Sequence, residues 1–109
     1  MLSFGSVTTD PSLDATTVTL TGDLDMQAAG DVLARLLSSG SSTTVAVDLS
    51  GVDFIDSSGL RVLLEARSVL EADGRRLVLV NPARPVSRVL AVTGMAEMFG
   101  LDLSGSSDS

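Results

Sequence analysis

Asp56-Ser57-Ser58-Gly59-Leu60 is the stretch whose residue types could do chemistry. Two adjacent hydroxyls follow a carboxylate and precede a glycine, where an apolar segment gives way to a helical pattern. A serine at that point meets the unpaired N–H groups that head any α-helix. A phosphate on such a serine gains from those donors and from the helix dipole. It also adds about −1.5 to −2 charges at neutral pH. The site can therefore accept a phosphoryl group without unfolding while its surface charge changes sharply. The same residue types have a plainer use, because Ser and Asp before a helix are common N-caps worth about 1 kcal/mol each. On these residues alone capping is the stronger reading, since Ser-Ser-Gly is a common tripeptide.

Three nearby carboxylates, Asp23, Asp25 and Asp56, raise acid/base or metal chemistry. Such oxygens can gather around a hard cation. The rest of a phosphoryl-transfer site is missing, however, and no glycine-rich phosphate loop is present. The 109 residues contain no His and no Cys, which removes the commonest general base, the commonest zinc ligand and thiolate chemistry. The expectation is a binding protein rather than an enzyme, with no cofactor and no metal. Asp25 and Asp56 are read as helix caps or partner contacts.

Composition narrows the partners. A formal net charge of −7 repels nucleic-acid phosphates, and three Phe with no Tyr or Trp make no platform for stacking bases. Met1-Leu2-Ser3-Phe4 lacks the basic and apolar regions of a signal peptide, and the longest apolar runs are too short to span a bilayer. The chain is expected to be cytoplasmic, with no nucleic-acid partner and no membrane insertion.

The elements that must position these residues follow from periodicity. Residues 15–21 alternate apolar and polar, as a half-buried strand does, and a weaker strand is expected around Phe4 to Thr9, before the Asp10-Pro11 turn. Gly22-Asp23-Leu24-Asp25 ends the strand and leads into a helix whose buried stripe is Ala29, Val32, Leu33, Leu36 and Leu37. Asp25 is its candidate N-cap, Asp31 and Arg35 form an i, i+4 pair, and Gly40 can end it. Residues 44–49 form the best strand, broken at Ser50-Gly51 and followed by an apolar connector from Val52 to Ile55. A second helix runs from near Ser57 to about Asp73, with Val62, Leu63, Ala66, Val69 and Leu70 facing inward and Gly74 at C′. The continuous run Leu77-Val78-Leu79-Val80 reads as a central strand. Pro85 opens a third helix, Gly94 ends it, and Met95, Met98, Phe99 and Leu101 form a last apolar cluster. This order predicts an α/β fold, a small mixed β-sheet packed against α-helices. One domain is expected over residues 1–103, with 104–109 a disordered tail.

The wider pattern resembles the STAS domain family, and within it the bacterial anti-sigma factor antagonists. The likeness rests on Leu20-Thr21-Gly22-Asp23-Leu24-Asp25, on the stretch from Val47 through Asp56-Ser57-Ser58-Gly59-Leu60, on Leu77 to Asn81, and on Val89-Leu90 with Thr93-Gly94-Met95. It spans roughly residues 5 to 103, and the D-S-S-G-L block in this context is its specific part. The resemblance implies that Ser58, the second serine, is the phosphoacceptor, with Ser57 the alternative. It implies partner contacts through Gly22, Asp23, Asp25, Asp56, Ser57 and Gly59, with Asp23 standing where the family has Glu. The implied partners are an anti-sigma factor that is also a serine kinase, and a serine phosphatase that resets the switch.

Other roles share the fold. A STAS subunit of a membrane lipid or anion transport system would bind a transporter ATPase or lie on a carrier. A scaffold subunit of a stress-signalling complex usually carries an extra N-terminal domain, which is not expected here. An enzyme or nucleotide binder is the weakest rival, for want of His, Cys and a phosphate loop.

Overall fold

Val18, Val47 and Leu79 stand in register on three adjacent strands, and each is buried. Their strands alternate accordingly. Thr16, Val18 and Leu20 are buried with Val45, Val47, Leu49, Leu77 and Leu79, while Thr17, Thr19, Ala46, Asp48 and Val78 on the opposite face are only half-buried. One face of the sheet therefore carries the core, and the helices lie on that side. The computed structural model describes residues 2–101. Along the chain these form β1 (Ser3–Asp10), β2 (Ala15–Leu24), α1 (Met26–Leu37), β3 (Thr44–Ile55), α2 (Ser57–Ala72), β4 (Arg76–Val80), α3 (Arg84–Thr93) and α4 (Met95–Met98). The sheet order is β1-β2-β3-β4, with β1 antiparallel to β2 and the other two pairings parallel. This is the mixed α/β fold that the periodicity predicts. The tail 104–109 and the domain end at 103 lie outside the described residues.

Several expectations need correction. The strand at 77–80 is not central: β4 is an edge strand, and β2 and β3 are the central pair. Its apolar run reads as two-sided burial, yet only Leu77 and Leu79 are fully covered. β3 does not break at Ser50-Gly51 but runs on to Ile55. Gly51 makes this possible, since a Cβ there would meet the Thr21 side chain at 2.6 Å. β2 likewise does not end at Gly22. Gly22, at φ 101°, stands where the pairing register shifts, and the ladder continues to Leu24 opposite Ile55. A glycine that permits a close approach or a bulge looks in sequence like one that ends a strand.

The helices differ in detail. The fully buried stripe of α1 is Ala28, Val32 and Leu36, while Ala29, Leu33 and Leu37 are half-buried beside it. The helix ends at Leu37 with Ser38 as C-cap, so Gly40 lies beyond it. Arg35, expected against Asp31, has its guanidinium 4.4 Å from the centre of the Phe4 ring. On α2, Val69 is 48% exposed rather than core. Gly94 does cap α3, with φ 78°, and the final cluster forms the short α4 with Met95 and Phe99 buried.

Candidate functional site

The two central strands end together. Leu24 is paired with Ile55, each is buried, and each is followed by an aspartate that opens a helix. Asp25 and Asp56 adopt nearly the same extended conformation, φ −121° and −112°, with ψ −174° in both. The Asp25 carboxylate accepts from Ala28 N–H at 3.2 Å, and that of Asp56 from Gly59 N–H at 3.0 Å. Both acids are thus N-caps, as their types before a helix suggest. The junctions are tied by Asp56 N–H donating to the Leu24 carbonyl at 3.3 Å.

The third residue of each helix separates the two. On α1 it is Ala28; on α2 it is Gly59, which is buried. A Cβ at Gly59 would lie 2.4 Å from the Leu24 carbonyl oxygen and 2.9 Å from side-chain carbons of Leu24 and Ile55. The glycine of Asp-Ser-Ser-Gly therefore lets α2 sit directly on the end of β2. It lies beneath the candidate surface rather than on it.

Ser57 and Ser58 occupy the first turn of α2, Ser57 exposed and Ser58 half-buried. Neither hydroxyl hydrogen-bonds another described residue. The capping that a serine would ordinarily supply here is done by the Asp56 carboxylate, so both hydroxyls are left over. The first N–H groups of α2 have no carbonyl four residues back within the helix to donate to. An anion on either serine would find donors and the positive end of the helix dipole beside it.

The other residues that the sequence singles out lie at the same end of the sheet. Gly22 and Asp23 sit on the last residues of β2, half-buried, with Asp23 paired in register to Phe54. Phe54 is 51% exposed and Met26, the first residue of α1, is 73% exposed. Sequence reading passed over both as ordinary apolar positions. It also missed a groove of about 280 Å³ between α1 and α2, lined by Met26, Ala29, Gly30 and Leu33 on one wall and by Ser58, Arg61, Val62 and Glu65 on the other. The signal that could have found it is Gly30, an interior glycine in an otherwise strong helical pattern. Among the described residues no group of three or more acidic side chains converges to hold a metal ion. No helix among them is long and apolar enough to cross a membrane.

Known proteins resemble this chain in sequence and fold. A model of the family described as "Mlab, STAS domain" matches residues 7–104. The chain is 32% identical to an anti-sigma F factor antagonist of Lysinibacillus sphaericus over 81 residues, 72% of this chain and 69% of that protein. Among solved structures, it resembles the anti-sigma factor antagonist SpoIIAA in its unphosphorylated form, with TM-score 0.69 and 27% identity over 89% of this chain and 84% of that one. The phosphorylated form, described as a Bacillus cell fate determinant, gives TM-score 0.63 and 26% identity over 89% and 86%. A shorter likeness, 39% over 57 residues, is to a probable sulfate transporter of Arabidopsis thaliana; it covers 52% of this chain and 9% of that protein.

Proposed function

This chain belongs to the STAS domain family, and on that premise we propose that it is an anti-sigma factor antagonist switched by phosphorylation of Ser58. Unphosphorylated, it binds an anti-sigma factor that is also a serine kinase, and the sigma factor is released. The kinase phosphorylates Ser58 and the complex separates; a serine phosphatase restores the binding form. The chain acts by binding and is not itself an enzyme.

The observation that carries this reading is the division of labour at the start of α2. Asp56 caps the helix and Gly59 seats it, so the serines between them have no structural duty. A hydroxyl at that place can be modified without loss of the fold. The similarity to an antagonist solved in both phosphorylation states supports the same role. The physical basis of the switch is desolvation. A partner surface that closes over a neutral hydroxyl cannot close over a dianion for which it brings no counter-ion. A weakening of about 3 kcal/mol lowers affinity on the order of 150-fold.

The test is incubation with anti-sigma serine kinases and ATP, the label mapped by peptide mass. Phosphate should appear on Ser58, and Ser58→Ala should abolish labelling while Ser57→Ala does not. Calorimetric titration should then show the phosphorylated form binding the kinase more weakly. Label on Ser57 would move the switch by one residue. Equal affinities of the two forms would reject antagonism and favour a transport or scaffold role.

A further inference from the structure

Helix α1 carries a glycine at its fifth position that the isolated fold does not need. Gly30 is exposed, and a Cβ built on it meets nothing within 4 Å. Alanine would make a firmer helix at no steric cost. Gly30 therefore weakens α1 without easing any contact among the described residues, and it leaves an open spot on the outside of the helix. It stands on the wall of the α1/α2 groove, between the exposed Met26 and the half-buried Leu33, facing Val62 and Ser58 on α2.

We infer that this groove receives an apolar ridge of the kinase partner, a helix or loop flanked by basic side chains, and that Gly30 is where the partner's backbone comes closest. The inference rests on the antagonist reading and gives that reading a binding surface. The charge around the groove selects the occupant. Asp25 and Asp56 cap the two helices at its upper end and Glu65 lies on its wall, against the single cation Arg61. A second copy of this chain, with the same net charge of −7, would be repelled. A partner with basic flanks is attracted, while its apolar ridge fills the space lined by Met26, Leu33 and Val62. Ser58 lines the same groove. A phosphate on Ser58 stays beside the first N–H groups of α2 and puts its charge on the groove wall, so modification and docking compete for one volume.

Two substitutions test this, each titrated calorimetrically against an anti-sigma serine kinase that labels Ser58. Gly30→Ala should melt about 4 °C higher than the parent and still bind more weakly, a stabilised protein with impaired docking. Gly30→Leu, which fills the groove, should keep a cooperative melt and lose affinity on the order of tenfold or more. Val92→Leu, on α3 at a position 82% exposed and outside the groove lining, should change neither. Unaltered affinity of Gly30→Leu, with Ser58→Asp still impaired, would overturn the groove and leave the antagonist function standing. Failure of the parent chain to bind any such kinase would overturn the function, and the groove's occupant with it. A parent dimer in sedimentation that Gly30→Leu dissolves would assign the groove to a second copy instead.

Discussion

The two ends of the sheet use the same side chains in opposite ways. Where the parallel strands begin, a run of hydroxyls and charges is tied. Thr16 Oγ1 lies 2.7 Å from Ser42 Oγ and 3.2 Å from Thr9 Oγ1. Arg75 donates from Nε to the Ser42 carbonyl at 2.7 Å and from Nη2 to that of Gly40 at 2.9 Å. The Thr43 hydroxyl donates to Asp14, and that of Ser12 to Asp10 at 2.6 Å. Where the strands end, Ser57 and Ser58 hydroxyls engage no described residue. Stability at that end comes from backbone fit and two carboxylate caps. Hydroxyls fasten loops at one end and stand unused by the fold at the other.

The largest effect expected from breaking this contrast is at Gly59. Gly59→Ala forces a methyl against the Leu24 carbonyl and should cost about 2–4 kcal/mol in denaturant unfolding. Ala28→Gly, at the equivalent place on α1, should cost about 1 kcal/mol. Equal losses would mean that α2 is not seated on β2 as described. Next in size is Thr16→Val, which leaves the buried Ser42 hydroxyl short of a partner and should cost about 1–3 kcal/mol. Ser58→Ala, by comparison, should stay within about 0.5 kcal/mol of the parent. A penalty at Ser58 as large as that at Thr16 would erase the distinction between the two ends.

The smallest effect is in acid. The hydroxyl of Ser12, and then its N–H, hold the Asp10 carboxyl below its ordinary value of 3.8, and the Thr43 hydroxyl does the same for Asp14. A carboxyl lowered in the folded state stabilises it above the unfolded value and stops doing so as pH falls through the folded one. Stability should therefore decline below about pH 4, and Asp10→Asn with Asp14→Asn should flatten that limb in melts recorded from pH 5 to 2.5. Both groups are exposed, so the slope is shallow. An unchanged limb would place the acid sensitivity elsewhere.

The elements were legible where a single period ran uninterrupted. Val45, Val47 and Leu49 announce a one-sided strand, and Asp25 and Asp56 announce their helices, because cap chemistry is local. The errors fall where a residue's meaning depends on a distant partner. Gly51 and Gly22 look like strand ends until Thr21 and the facing strand are in place. Leu77 to Val80 looks central because an apolar run does not say how many neighbours it has. Of the candidate site, the serines and the caps could be read from the chain. Gly59 as a packing residue could not, since its constraint is the carbonyl of Leu24, 35 positions earlier. The groove wall at Gly30 was equally hidden, being made by two helices that meet only in the fold.

The strands lie in the sheet in the order in which they occur in the chain. No strand has to be inserted between two others, so each finds its partner already made. β1 and β2 close as a hairpin, β3 adds to its open side after one helix, and β4 adds last after another. Such a chain can grow its sheet outward from one edge while it is still being synthesised, and the entropy of each closure is that of one short crossover. The residues around Ser58 stand where the third strand ends beside the second. β4, the edge strand, borders the sheet beside β3 and contributes Leu77 and Leu79 to the core.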